Sequence, residues 1–154
     1  MYTVGSSTSE DIDSIGGREL ARLCYSCGIC VGGCPAARFS DDFNPRRIVL
    51  EICLGIGRRL VGGGSPIWKC TTCYTCHERC PAGVKPLDVV MALRNISFRE
   101  GACPQSVSVI RKNVLDDGVA GTVTRRAAEI RQKMGLPPAE SDGRGELEAL
   151  TGHE

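Results

Sequence analysis

Two cysteine-rich stretches decide the fold of this 154-residue chain. The first run is Cys24-Tyr-Ser-Cys-Gly-Ile-Cys-Val-Gly-Gly-Cys-Pro35, and the second run is Cys70-Thr-Thr-Cys-Tyr-Thr-Cys-His-Glu-Arg-Cys-Pro81. Both have the spacing C-x2-C-x2-C-x3-C-P, and the second follows the first at an offset of 46 residues (70 − 24). Eight of the ten cysteines lie in these runs. The sequence therefore contains an internal repeat that is concentrated in its thiols.

This spacing matches the pattern of ferredoxins with two 4Fe–4S clusters. Three thiolates spaced three residues apart can reach three corners of a cubane cluster from one short turn. The wider gap and the following proline keep the fourth cysteine out of helical conformation, so that it can reach the other cluster. We expect cluster assembly to be coupled to folding. The runs predict two 4Fe–4S clusters with the ligand sets Cys24, Cys27, Cys30 and Cys80, and Cys70, Cys73, Cys76 and Cys34.

Two other chemistries fit part of the pattern. A structural zinc site takes two C-x2-C pairs for one tetrahedral ion. Three cysteines at the x2-x2 spacing of each run would crowd one zinc ion and leave one cysteine unused. The segment from Cys73 to His77 also fits c-type haem attachment. Haem attachment requires an exported chain, and the first run has Val31 at the position of the histidine. We therefore interpret His77 as a surface residue or a neighbour of the ligands.

Two cysteines lie outside the runs. Cys53 belongs to a periodic apolar stretch, which predicts a buried, inert thiol, and Cys103 precedes a proline in an expected turn without an assigned role. Arg22, Lys69, Arg79 and Lys85 lie close to the runs. Because a cluster with four thiolates is a net anion, we expect such cations to raise its reduction potential.

Composition excludes several classes of protein. A net charge of +1 argues against a nucleic-acid-binding protein held by a broad basic surface. The amino-terminal residues lack the pattern of a secretion signal, and no stretch approaches the roughly 18 apolar residues of a membrane span. We therefore expect a cytoplasmic protein with reduced thiols and no membrane partner. Without a nucleotide-binding glycine motif or a nucleophile–base pair, we expect no catalytic residue in this chain.

The pattern predicts an all-α, helical ferredoxin-like domain over residues 17–138, between a flexible segment 1–16 and a polar tail 139–154. Predicted helices cover residues 18–23, 45–54, 86–101, 104–116 and 122–134. The third has the predicted apolar face Leu87, Val90, Met91, Leu93 and Ile96. The fourth has Val107, Ile110 and Val114 in register.

The chain resembles the C subunit of heterodisulfide reductase, an iron–sulfur electron-transfer protein of methanogenic archaea. The resemblance covers about residues 20 to 138 and is clearest in Ile67-Trp-Lys-Cys-Thr-Thr-Cys-Tyr-Thr-Cys-His-Glu-Arg-Cys-Pro81. It extends to Asn44-Pro-Arg-Arg-Ile-Val49, Ala92-Leu-Arg-Asn-Ile96 and Met134-Gly-Leu-Pro-Pro138. His77 stands where the family leads us to expect an aromatic residue.

The resemblance implies a non-catalytic subunit of an oxidoreductase complex. Electrons would pass from a flavin-bearing A subunit, through the two clusters, to a catalytic B subunit. That B subunit reduces the mixed disulfide of coenzymes M and B with clusters held by Cys-Cys-Gly motifs, which this chain lacks. A hydrogenase or formate dehydrogenase module would supply the electrons. The alternative is the iron–sulfur subunit of a succinate or fumarate, glycolate or sulfur-metabolism oxidoreductase, although those usually carry an attached domain that is missing here.

Overall fold

The computed structural model describes residues 17–121, 123–137 and 149. Those residues form helices and turns and no strand, which confirms the predicted all-α fold. Contacts divide the chain into two compact units, Met1–Pro104 and Gln105–Glu154. The predicted flexible segment 1–16 lies outside the described residues, as does the polar tail 139–154 apart from residue 149. The predicted domain boundaries stay predictions.

The first unit combines two longer helices with several short ones. Its α-helices are α1 (Gly17–Arg22), α2 (Ile29–Gly32), α3 (Pro35–Phe39), α4 (Pro45–Cys53), α5 (Thr75–Glu78) and α6 (Pro86–Arg99). Two 3₁₀ turns, Gly57–Leu60 and Pro66–Lys69, lie between α4 and the second run. The sequence predicted α1, α4 and α6, but it did not predict the short helices α2, α3 and α5.

Helix α4 begins where the sequence predicts. The Asn44 side chain accepts a hydrogen bond from the backbone N–H of Arg47 at 3.0 Å. Pro45 occupies the first turn, where its missing N–H costs nothing. The helix buries Ile48, Val49 and Ile52, so it turns one apolar face towards the core.

Helix α6, like α4, contributes one apolar face to the hydrophobic core. It buries Leu87, Val90, Leu93 and Ile96 as predicted. The predicted face was wrong at Met91, which is 40% exposed, because Val89 is the residue that packs inwards instead. Helices α4 and α6 contact each other, and both contact α1. Buried side chains from the connecting segments complete the core, including Phe43, Leu60, Ile67 and Val84.

The second unit contains α7 (Gln105–Asp117) and α8 (Arg125–Lys133). Thr124 caps α8 by accepting from the backbone N–H of Ala127 at 3.3 Å. Both helices were predicted, but the face predicted for α7 is only partly covered: Val107 and Val114 are half-buried, whereas Ile110 is 48% exposed.

No helix in the described ranges has the length and apolar character that a membrane crossing requires.

Candidate iron–sulfur site

The two cysteine runs adopt the same backbone conformation. Ser26 and Gly28 have positive φ values of 61° and 80°, and their counterparts 46 residues later, Thr72 and Tyr74, have 51° and 61°. A single helical turn follows in each run, α2 in the first and α5 in the second. The sequence repeat is therefore also a structural repeat. Tyr74 adopts a left-handed conformation that glycine takes easily and tyrosine does not, so the loop geometry is imposed on it.

The first cavity is lined by the thiols of Cys24, Cys27, Cys30 and Cys80. Its free space, which includes open solvent, is about 380 Å³. Three of these cysteines come from the first run and one comes from the second. Arg46, Val49 and Pro86 form part of the remaining wall.

The second cavity is lined by Cys34, Cys70, Cys73 and Cys76. Its free space is about 340 Å³, again with open solvent included. Here three cysteines come from the second run and one from the first. The other walls are mainly apolar and include Phe43, Pro45, Leu87 and Val90.

The cavities thus bring together the two groups of cysteines that the spacing predicts. Cys34 has an extended conformation (φ −87°, ψ 117°) and lies immediately before the proline that begins α3, as the prediction requires. The Cys80 thiol accepts a hydrogen bond from the backbone N–H of Val84 at 3.3 Å. Four thiols spread around a cavity fit a thiolate-held cluster. Which cysteine holds which iron stays a prediction.

The first turns of helices α4 and α6 lie between the two cavities. In the first turn of α4, Pro45 lines the second cavity while the next residue, Arg46, lines the first. In the first turn of α6, Pro86 lines the first cavity while Leu87 lines the second. Neighbouring residues therefore touch opposite cavities at two places. This arrangement suits two redox groups held close together across one wall.

Each cavity has one exposed cysteine and three half-buried cysteines, and the exposed one is at the same position in both runs. Cys27 and Cys73 are exposed, whereas Cys30 and Cys76 are half-buried. Burial, helped by the neighbouring cysteines Cys70 and Cys34, raises the pKa of Cys76 to about 12. The pKa of Cys73 is lowered by the hydrogen bond between its sulfur and the Thr75 hydroxyl, whose atoms lie 3.5 Å apart. The second cysteine of each run is thus the most exposed of the four that line a cavity.

Comparison with known proteins agrees with this geometry. Residues 20–84 match a family model described as a 4Fe–4S dicluster domain. The C subunit of the ferredoxin:CoB–CoM heterodisulfide reductase of Methanosarcina mazei is 35% identical over 115 residues, which cover 75% of this chain and 70% of that protein. The chain belongs to the family of heterodisulfide reductase C subunits. The match to the dicluster domain shows that the chain holds two 4Fe–4S clusters.

Other members of the family are longer than this chain. The iron–sulfur C subunit of the CoB–CoM heterodisulfide reductase of Methanopyrus kandleri is 36% identical over 75% of this chain, but the match spans only 59% of that protein. The C2 subunit of the H₂/formate:CoB–CoM heterodisulfide,ferredoxin reductase of Methanococcus maripaludis is 37% identical over 79% of this chain and 65% of its own length. The match therefore spans about 60% of the length of these relatives.

Three residues of this heterodisulfide reductase family member hold the segment 62–70, which leads into the second run, and were not predicted as site residues. Arg94 on α6 donates to the backbone carbonyls of Ile67 and Cys70. Trp68 donates from Nε1 to the Gly62 carbonyl at 2.8 Å. The buried Ser97 hydroxyl accepts from the Gly62 N–H at 3.1 Å. Spacing carried no signal for these contacts, although Trp68 and Arg94 lie in the stretches that resemble the family.

The other residues singled out in the sequence have ordinary surroundings. The His77 side chain is 20% exposed, and its Nδ1 lies 3.2 Å from an Asp88 carboxylate oxygen, which fits a neighbour of the ligands. Cys53 is half-buried, not fully buried as predicted, because it ends α4; burial still raises its pKa. Cys103 is half-buried.

Proposed function

We propose that this chain is the electron-transfer subunit of a CoB–CoM heterodisulfide reductase complex. The observation that carries the proposal is the thin wall made by α4 and α6, which has a four-cysteine cavity on each side. A bound 4Fe–4S cluster exchanges one electron at a time. A chain with two such sites, each with one exposed cysteine, suits a relay between two partners.

We propose the ligand sets that the spacing predicts. Cys24, Cys27 and Cys30 hold the first cluster together with Cys80, and Cys70, Cys73 and Cys76 hold the second together with Cys34. The grouping of these thiols around the two cavities supports the assignment. Exchange of one cysteine between the runs ties the two runs together.

We propose the partners that the resemblance to the family implies. A flavin-bearing A subunit supplies electrons, and a catalytic B subunit reduces the mixed disulfide of coenzymes M and B with two electrons and two protons, which gives two thiols. Two one-electron transits through this chain supply one turnover. The names of relatives that include H₂ or formate support a hydrogenase or formate dehydrogenase module as the source. A cytoplasmic location is part of this proposal, since the cysteines must remain reduced.

The test is an anaerobic purification of the tagged full-length chain from its own organism. We expect about eight iron and eight sulfide per chain from two cubane clusters, a co-purifying flavoprotein, and a co-purifying Cys-Cys-Gly protein. Stoichiometric zinc without sulfide would eliminate the relay. Recovery with a succinate, fumarate, glycolate or sulfur-metabolising oxidoreductase would instead retain the relay and reject the heterodisulfide reductase assignment.

A further inference from the structure

Arg94 makes an unusual set of contacts beside the second cavity. Its Nε and Nη2 donate to the Ile67 carbonyl at 3.1 and 2.9 Å, and Nη2 also donates to the Cys70 carbonyl at 2.7 Å. The guanidinium lies 5.4 Å from the centre of the Trp68 ring. A planar fork of donors is therefore fixed against the segment that leads into the second run.

The charge of Arg94 has no acidic partner in the part of the chain that the structure describes. Its acceptors are neutral carbonyl oxygens, and its side chain is half-buried on α6. A half-buried cation without a counter-ion is costly. Nearby Lys69, by contrast, is paired with Asp42 at 2.6 Å. Arg94 is thus an uncompensated positive charge held next to the backbone of Cys70.

We propose that Arg94 is a positioning residue for the second cluster and also its counter-charge. This inference rests on the ligand sets proposed above. A 4Fe–4S cluster with four thiolates is an anion and becomes more negative when reduced. A cation held at the Cys70 carbonyl favours the reduced form and raises the reduction potential. The bidentate fork also fixes the segment that directs the Cys70 thiol into the cavity.

The first cluster has a different cation. Arg46 lines the first cavity and donates to the Ser26 carbonyl at 3.4 Å, but its side chain is exposed to solvent. Water screens an exposed charge far more than a half-buried one. Arg46 therefore supplies a matched control, because its removal subtracts the same charge from the chain at the other cavity.

The experiment is an anaerobic redox titration of the isolated full-length chain, followed by electron paramagnetic resonance. Cys27→Ser and Cys73→Ser first assign the signals, because each is expected to alter one cluster alone. If these two variants alter the same signal, the ligand sets fail before Arg94 is tested. No partner protein is required, so failure of the heterodisulfide reductase assignment leaves the result intact.

We expect Arg94→Gln to lower the reduction potential of the second cluster by about 59 mV. For transfer of one electron, this shift is about a tenfold decrease in the equilibrium constant of reduction. The first cluster should not change. Arg94→Lys, which retains the charge but loses the fork, should lower the potential by less. Arg46→Gln should leave the second cluster unchanged.

Several results would overturn the inference. The first is an unchanged reduction potential of the second cluster in Arg94→Gln. The second is a shift of that potential in Arg94→Lys as large as the shift in Arg94→Gln. The third is a shift of that potential in Arg46→Gln as large as the shift in Arg94→Gln. If Arg94→Gln loses iron, loss of about four iron atoms with the first signal retained supports the positioning role. Loss of both clusters would show a general role in folding and would contradict the proposal.

Discussion

At the scale of single residues, an ion pair between Lys69 and Asp42 lies immediately before the second run. Lys69 Nζ lies 2.6 Å from both carboxylate oxygens of Asp42 and 3.1 Å from the Ser40 hydroxyl. The hydrogen bond from Lys69 keeps the pKa of Asp42 below its ordinary value. Asp42 therefore stays ionised at neutral pH. Any stability that its contact contributes is fully present above the ordinary pKa of a carboxyl group and is lost as the pH falls through the lowered pKa of Asp42.

Substitution of this pair should shift the second cluster in opposite directions. Asp42→Asn leaves Lys69 uncompensated, so we expect a higher reduction potential, whereas Lys69→Gln leaves Asp42 alone and should lower it. The double variant should return to the potential of the unmodified chain. Redox titration of the three variants measures this. A shift of the same sign in both single variants would show that charge is not the cause.

Sequence spacing predicted the thiols and their grouping but not the residues that hold them in place. The ligand cysteines can be recognised in the sequence because a 4Fe–4S cluster requires cysteine side chains at fixed intervals. The acceptors of Arg94 are backbone carbonyls, and the Ser97 hydroxyl bonds to backbone atoms of Gly62 and Leu93. Any residue has such backbone groups, so no pattern of residue types marks these contacts.

At the scale of elements, the single-turn helices of the two runs meet at Gly33. A Cβ atom placed on Gly33 would lie 3.0 Å from Cγ2 of Thr75, the first residue of α5. The Thr75 hydroxyl lies 3.5 Å from the Cys73 sulfur, so its side chain cannot rotate away without losing that contact. This close approach couples the first run to a proposed ligand of the second cluster.

Gly33→Ala should therefore destabilise the chain by about 1–3 kcal/mol, the usual cost of overpacking. Gly32→Ala is the matched control, since a Cβ there meets no atom within 4 Å and alanine favours the helix. Anaerobic denaturant unfolding, followed by the visible absorbance of the clusters, measures both. Equal stability of the two variants would contradict the close contact.

The cap of α4 should protect the clusters, because the first turn of that helix lies between the cavities. Asn44→Ala removes the side chain that accepts from Arg47 and should cost about 1 kcal/mol. We expect faster loss of visible absorbance when an iron chelator is added. Thr124→Ala removes a similar cap from α8 in the second unit and should leave that rate unchanged. If Thr124→Ala accelerates the loss equally, the effect is not specific to α4.

Long elements were predictable and short ones were not. Asn44-Pro45 and Lys85-Pro86 indicate the starts of α4 and α6, and apolar periodicity then gives their buried faces. Helices of four residues, such as α2 and α5, are too short for periodicity to reveal. They form because the preceding backbone turns through positive φ, and Tyr74 does so without the glycine that would have indicated it.

At the scale of the whole molecule, the described residues fall into two units, and all ten cysteines belong to the first. In the first unit, α4 and α6 lie between two cavities. Each cavity is lined by three cysteines of one run and one cysteine of the other run. Composition and spacing predicted this centre. The boundary at residue 104 was not predicted, because a break between two helices does not by itself show that they belong to different units.

The most direct test asks which cluster Cys34 belongs to. Cys34→Ser, prepared anaerobically as the full-length chain, should alter the same electron paramagnetic resonance signal as Cys73→Ser and leave the signal altered by Cys27→Ser intact. Cys80→Ser should show the reverse pattern. If Cys34→Ser instead alters the signal that Cys27→Ser alters, each cluster is held within a single run, and the proposed exchange of ligands between the runs does not exist.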